Sequence, residues 1–412
     1  MRIGLVSQWY PPEGAFIPGN LAQGLAARGH QVRVLTTFPS YPHGRVYPGW
    51  RQRWGHREEH GPVTVRRVPS YPSHDTSAAR RVLSFASFAA TSAMAGVSAL
   101  RGVDVTYVYH PPPTAVAAAA VHRLVRRTPV VLHVQDLWPE SVLQSGMAPT
   151  GRAGRSFARN LARLMRATYR LASAIVVISP TMGDLVVRQG ADPDRVRVVW
   201  NWTDDELFRP VPPSPEARAA IGHRGRPTVM FAGNLGLLQG VETAIRAAAA
   251  LRDRVDLVLV GSGAGEEAAR RLAGELGADN IRFVGRQPGE RMAALYAAAE
   301  WQLVCLRDLP ALAGTVPSKL QAALACGVPV IASAGGDTAA FVGATGVGLV
   351  AAPEDPVTLA ARFAQAADMP AGGRAELGAR ARQVYLDRLS LPVGVDQFDD
   401  ILTKLAARRG DA

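Results

Sequence analysis

Four prolines fall within six residues, Pro210, Pro212, Pro213 and Pro215, a density that neither helix nor sheet tolerates. The break sits at mid-chain, in Thr203 to Pro215, and the same pattern runs on both sides of it. Before it come an apolar strand Ile3 to Ser7, a Pro/Gly loop, a helix from about Pro18 to Arg28 closed by Gly29, and a strand Gln31 to Leu35. That is a βαβ unit, which predicts a parallel sheet with a ligand crevice at its strand C-termini. Further strands are expected at Val63 to Val68, Asp104 to Tyr109, Pro129 to Val134, Ala174 to Ile178 and Val196 to Val199. After the break, strands are expected at Thr228 to Ala232, Asp256 to Val260, Ile281 to Val284, Gln302 to Cys305, Val328 to Ala332 and Gly348 to Val350. A chain of 412 residues exceeds one hydrophobic core, so the expectation is α/β, two Rossmann-like doubly wound domains, residues 1–205 and 206–390, followed by a C-terminal segment 391–412.

The net charge of +12 is unevenly spread. Residues 1–200 hold 24 arginines and no lysine against 10 carboxylates, whereas residues 201–412 are slightly acidic. The first half is therefore expected to meet something anionic. Its aromatics do not interleave with arginines in a recognised module, which argues against nucleic acid. Cys305 and Cys326 are too few for a disulfide framework and lack metal-ligand spacing, so a reducing, cytoplasmic compartment and no metal site are expected. The apolar run at the N-terminus is too short for a secretory signal. Val82 to Leu100 carries no charge and is bracketed by Arg80, Arg81 and Arg101. It reads as a buried helix or as one lying on a membrane through Phe85, Phe88 and Met94.

Chemistry is concentrated in a few turns. In Gly314 to Gly327, Pro317 suits the first helical position and Gly327 ends the helix, so Ser318, Lys319 and Leu320 are expected to present free N–H groups to a phosphate or diphosphate. Only Lys319 and Lys404 of the 46 basic residues are lysine, and positive charge at a helix N-terminus opposes the dipole unless an anion sits beside it. Gly233, Asn234, Gly236 and Gln239 follow one strand, Gly261 the next, and Arg286 with Gln287 a third, converging on one crevice edge. In the first half the matching edge offers Gly14 in the opening loop, and His133 and Asp136 at a strand end facing the cleft. There His133 would act on a hydroxyl proton and Asp136 would orient it or the sugar. Glu140 reads as a helix-start acid, and Asp192 with Asp194 as a turn rather than a metal pair.

The loop Pro11 to Gly14, the segment Arg28 to Thr37, Phe38 to Gly44, His133-Val-Gln-Asp-Leu-Trp-Pro-Glu140, Ala232 to Gly236 and Pro317-Ser-Lys319 fall in an order that resembles the family 4 retaining glycosyltransferases of bacterial capsule, O-antigen and colanic-acid-type pathways. The resemblance implies a GT-B fold, two domains facing across a cleft, with the segment from Leu391 crossing back. It implies metal-independent transfer of a hexosyl or N-acetylhexosaminyl group from a nucleotide-sugar, a UDP-sugar by preference. The nucleotide-sugar is a substrate and no cofactor is expected. Lys319 with the amides of Ser318 to Leu320 would hold the diphosphate, and His133 would lie near the donor sugar. Two positions depart from the family pattern: its paired glutamates are Gly314 and Ala322 here, and its basic pair is Asn234 and Gln239. Asp337 is the candidate replacement for part of the sugar contact. The expected acceptor is a lipid-linked glycan reached at an anionic membrane surface by a peripheral enzyme. The alternatives are a soluble natural-product acceptor, a non-catalytic nucleotide-binding subunit and a nucleotide-sugar epimerase.

Overall fold

The computed structural model describes residues 1–74, 77–138 and 151–410. Its contacts divide the chain into unit 1, Met1–Trp200 with Gly394–Ala412, and unit 2, Asn201–Val393.

Unit 1 holds an eight-stranded sheet in the order β3-β4-β2-β1-β5-β6-β7-β8. Its strands are β1 (Arg2–Val6), β2 (Gln31–Thr37), β3 (His56–His60), β4 (Val63–Val68), β5 (Val105–His110), β6 (Val130–Val134), β7 (Ala174–Val177) and β8 (Val196–Val198). All neighbours run parallel except β3, which is antiparallel to β4. Strand β3, His-Arg-Glu-Glu-His, has no apolar alternation to announce it, since it pairs at the sheet edge with its side chains mostly in solvent. The order reverses between β1 and β5, where Ile3 pairs with Val105 and Val6 with Val108. A doubly wound sheet places its ligand crevice beyond the strand C-termini at such a reversal.

The connecting helices are α1 (Phe16–Ala27), α2 (Ala78–Ala99), α3 (Val116–Arg126), α4 (Gly151–Leu171) and α5 (Pro180–Arg188). Phe88 and Ala95 of α2, Ala118 and Ala119 of α3, and Met165 and Tyr169 of α4 share one core with β5, β6 and β7. The 21-residue stretch Ala79–Ala99 has the length and composition of a membrane span, yet one stripe of it, Ser84, Phe88, Ser92 and Ala95, is buried in the protein. Phe88 is therefore a core residue rather than a membrane anchor. Val82 (53% exposed), Leu83 (51%) and Met94 (73%) face outward.

In unit 2 the helices are α6 (Pro215–Ile221), α7 (Val241–Ala249), α8 (Glu266–Glu275), α9 (Met292–Ala298), α10 (Ser318–Ala325), α11 (Gly336–Thr345), α12 (Pro356–Asp368) and α13 (Ala371–Arg388). Its parallel six-stranded sheet has the order β11-β10-β9-β12-β13-β14. The strands are β9 (Thr228–Ala232), β10 (Asp256–Val260), β11 (Ile281–Gly285), β12 (Trp301–Cys305), β13 (Val330–Ser333) and β14 (Gly348–Ala351). Here the reversal lies between β9 and β12. The three central strands β10, β9 and β12 are buried at every position, as expected of a sheet covered on both faces.

Helix α14 (Leu391–Gly410) closes the chain, and from Gly394 it belongs to unit 1. Phe398 packs 5.5 Å from Tyr107 and 4.9 Å from His133, and His30 Nε2 lies 2.8 Å from the Asp399 carboxylate. A Cβ on Gly24 would sit 2.6 Å from Val395, so only glycine lets α1 approach α14 this closely.

Candidate functional site

At the C-terminal edge of the unit 2 sheet, the turns after β9, β10 and β11 are sewn together by backbone. The Gly233 amide donates to Val260 O (2.9 Å), Leu235 N to Ser262 O (2.9 Å), Gly261 N to Gly285 O (2.8 Å) and Gly265 N to Leu235 O (2.8 Å). A Cβ at Gly261 would stand 1.9 Å from Gly233 O, and one at Gly263 2.4 Å from Asn234 Oδ1. The glycines thus let the turns lie against each other, leaving main chain rather than side chains at the rim. Gly236 is held similarly, its added Cβ falling 2.9 Å from Asn234 Nδ2.

Lys319 lies at the reversal point between β9 and β12. It is 9% exposed. Its Nζ donates to Gln239 Oε1, stands 4.7 Å over the Phe231 ring, and its Cε would be 3.3 Å from a Cβ on Gly233. No carboxylate pairs with it among the described residues. Burial lowers its pKa from 10.5 to about 8, with the Cys305 thiol opposing. A desolvated cation with only an amide and a ring for company is a site for an anion. The structure therefore joins Gly233, Gln239 and Lys319 at one point.

The start of α10 corrects two expectations. Pro317 caps the helix and Ser318 is its first residue. The Leu320 amide is not free: it donates to Pro317 O at 2.8 Å, because the helix closes with an early three-residue bond. Helix geometry leaves the Ser318 and Lys319 amides without an intrahelical acceptor.

The other residues expected to meet the donor make local contacts. Asp337 is buried in the first turn of α11 and donates its amide to Ala313 O at 2.8 Å, while Thr338 Oγ1 donates to Thr315 O at 2.8 Å. These bonds dock α11 on the segment that leads into α10. Gln287 bonds its own turn at Val284 O (3.3 Å) and accepts from Arg291 (3.2 Å), so its side chain is occupied locally, and Arg286 is exposed. Sequence reasoning passed over Arg307, the second residue after β12. Its Nε donates to Leu237 O (2.7 Å), its Nη2 pairs with Glu242, and Nη1 lies 3.7 Å from Glu354. It clamps the turn that carries Gln239, and its position two residues beyond a buried strand was the available signal.

Unit 1 builds its edge differently. Gly14 is exposed, and an added Cβ meets nothing within 4 Å, which leaves open space at the uncapped start of α1. Beside it the Glu13 carboxylate, 4% exposed, accepts from the amides of Tyr10 (3.1 Å), Ser40 (2.6 Å) and Tyr41 (2.7 Å). It fixes the loop after β1 to the loop after β2. Trp9 lies 5.4 Å from Tyr41 and 6.5 Å from Phe85, which lies 6.2 Å from Trp138, an aromatic row that spacing did not reveal because its members come from four segments.

His133 is a correction. It does not face outward from its strand end: it is 0% exposed, with Nδ1 2.7 Å from Tyr107 Oη and Nε2 2.8 Å from Gln135 Nε2. Its position in β6, opposite Tyr109, turns it under Phe398 of α14. Burial, reinforced by the neighbouring His110, lowers its pKa from 6.5 to about 3. A neutral imidazole with both nitrogens engaged is no general base near neutrality. Asp136 is exposed in the turn after β6. Pro139 and Glu140 lie outside the described residues.

Both halves of the chain match known families. Residues 17–202 match the glycosyl transferase 4-like domain model, and residues 214–384 the glycosyl transferases group 1 model. The chain is 29% identical to WcaI of Escherichia coli, named as a colanic acid biosynthesis glycosyl transferase, over 79% of this chain and 82% of that one. It is 27% identical to the Pseudomonas aeruginosa glycosyltransferase WbjE over 65% of this chain and 66% of the relative. Among solved structures, sucrose-phosphate synthase of Thermosynechococcus elongatus superposes with a TM-score of 0.75 at 21% identity, covering 99% of this chain and 100% of that one. Anabaena HepE in complex with UDP superposes at 0.68 with 18% identity, covering 98% and 100%. The chain belongs to the family 4 glycosyltransferases of GT-B fold, in company with enzymes of cell-surface polysaccharide synthesis.

Proposed function

We propose that this glycosyltransferase moves a hexosyl or N-acetylhexosaminyl group from a UDP-sugar to a lipid-linked glycan, with retention of anomeric configuration and without a metal ion. The observation that carries the reading is Lys319, a buried cation lacking a carboxylate partner among the described residues and lying at the sheet reversal point beside glycine turns. As the bond from the anomeric carbon to the diphosphate breaks, negative charge gathers on the leaving phosphate oxygens. Lys319 and the amides of Ser318 and Lys319 are positioned to stabilise it. The same charge would otherwise call for a divalent cation.

Because His133 is neutral and enclosed, the acceptor's hydroxyl proton goes to an oxygen of the departing diphosphate as the hydroxyl bonds to the anomeric carbon from the same face. Asp136, exposed at the β6 end, is available to orient that hydroxyl. The UDP found with the Anabaena neighbour supports the choice of base. The colanic acid relative supports a glycan acceptor. The outward Val82, Leu83 and Met94 of α2, together with the basic first half, support an enzyme working at the inner membrane surface.

Thermal unfolding with UDP, GDP, ADP and dTDP tests the donor reading. At 100 times its dissociation constant the right nucleotide adds about 2.7 kcal/mol of stability. A shift with UDP alone is expected, and no shift with any of them would remove the donor site.

A further inference from the structure

Helix α4 carries Arg152, Arg155, Arg159, Arg163, Arg166 and Arg170, and not one Asp or Glu in its 21 residues. At about 100° per residue these spacings of three and four put all six guanidinium groups within an arc of roughly 80°, along about 27 Å of helix. All six residues are exposed. Among the described residues none of them pairs with a carboxylate; Arg163 reaches only the Asn160 side-chain oxygen, at 3.1 Å. The opposite side of the same helix supplies Met165 and Tyr169 to the core.

A surface helix kept merely soluble alternates its charges, as α8 does with Glu266–Arg270 at 2.9 Å and Glu267–Arg271 at 3.9 Å. Helix α4 instead stacks like charges at the spacing where they repel, an arrangement that an anionic partner reverses. What lies beside it indicates which partner. The Arg123 guanidinium of α3 donates to Ser173 Oγ at 2.8 Å, just past the end of α4, and the next two residues of α3, Leu124 (81% exposed) and Val125, point into solvent, followed by exposed Arg126 and Arg127. Cations in a row next to uncovered aliphatic side chains suit phosphate headgroups over hydrocarbon. A nucleic acid would leave the aliphatics without a partner.

We propose that the outer face of α4 is an anionic-lipid docking surface, with its six arginines on headgroup phosphates and Leu124 and Val125 of α3 entering the layer above the acyl chains. Its role, holding the enzyme where a lipid-linked acceptor resides, rests on the acceptor reading above. The full chain, and a variant carrying Arg155→Gln, Arg159→Gln and Arg163→Gln, are compared by flotation with phosphatidylcholine vesicles and with vesicles about one-third phosphatidylglycerol. Glutamine keeps helix propensity and removes repulsion, so the variant folds; its melting temperature and nucleotide-induced shift verify this and report separately on the donor site. The expected result is salt-sensitive binding to the anionic vesicles that falls about a hundredfold in the variant. Equal binding by variant and wild type overturns the proposal. If Leu83→Glu with Met94→Glu abolishes binding that the arginine variant retains, the membrane reading stands on α2 and the α4 proposal falls. Tighter binding to duplex DNA than to anionic vesicles at the same salt also overturns it.

Discussion

The two sheet edges solve the problem of handling charge in opposite ways. Unit 2 takes one positive side chain inside: Lys319 is buried beside Gln239, Phe231 and Gly233, and the turns after β9, β10 and β11 are joined by main chain. Unit 1 sets a row of positive charge outside, on α4, while the histidines and the glutamate buried at its inner edge are neutral or hydrogen-bonded. His133 and His110 are buried with lowered pKa values, near 3 and 4, and Glu13 is saturated by three amides. One buried cation binds one anion strongly because the surroundings do not screen it. Many exposed cations hold a broad anionic surface in a salt-dependent way. On the reading proposed above, diphosphate recognition falls to unit 2 and surface docking to unit 1.

The contrast breaks most violently at a glycine. Gly261 has φ +133°, and a Cβ there would stand 1.9 Å from Gly233 O. Gly261→Ala should cost about 3 kcal/mol of unit 2 stability and abolish nucleotide binding, read by thermal unfolding with and without UDP. Unchanged stability would mean that the glycine turns are not sewn together as described.

The pH dependence of donor binding should separate the two units next. Lys319 has a folded pKa near 8 against 10.5 when free. Its positive charge is therefore present below pH 8 and lost as pH rises through that value, so UDP-sugar affinity should be about tenfold weaker at pH 9 than at pH 7. The same shift has the opposite sign for the empty protein: the unfolded chain binds the proton more tightly, and this group's contribution to stability rises with pH from about 8 to 10.5. Titration calorimetry giving a flat affinity over that range would take Lys319 out of the pocket.

A smaller effect is expected at His133. Replacing it with Leu strands the Tyr107 hydroxyl and should destabilise unit 1 by about 1–2 kcal/mol, with the transfer rate at a permissive temperature within a few fold. A rate loss of about a hundredfold or more at full folding would restore His133 as a catalytic base.

The sheets were largely legible because their strands read either as apolar runs, as in Thr228 to Ala232, or as apolar residues alternating with polar ones, as in Val63 to Val68, with turn residues at their ends. Val63 to Val68, Thr228 to Ala232 and Asp256 to Val260 fall where the pattern puts them. Strand β3 was not, since an edge strand needs no apolar face. Lys319 stood out as a lone lysine at a helix start, yet its partners Phe231 and Gln239 are 88 and 80 residues away in sequence, beyond what local spacing can show. His133 misled for a related reason. Its face of β6 is covered by Phe398, contributed from the far end of the chain, and a strand-end histidine looks identical in sequence whether or not a distant helix covers it. The α4 arginines were counted in the first-half charge, and only the exposed helical arc shows them as one surface.

The central claim, that a single buried lysine replaces a basic pair in gripping the donor diphosphate, is tested most directly by titrating UMP and UDP into the wild type and into Lys319→Met. Methionine keeps the volume and removes the charge. The account predicts that the wild type prefers UDP and that the variant loses this preference, with UDP affinity falling by about ten- to a hundredfold, the worth of one charge-assisted contact, while UMP affinity changes little. A variant that still prefers UDP as strongly as the wild type would contradict it.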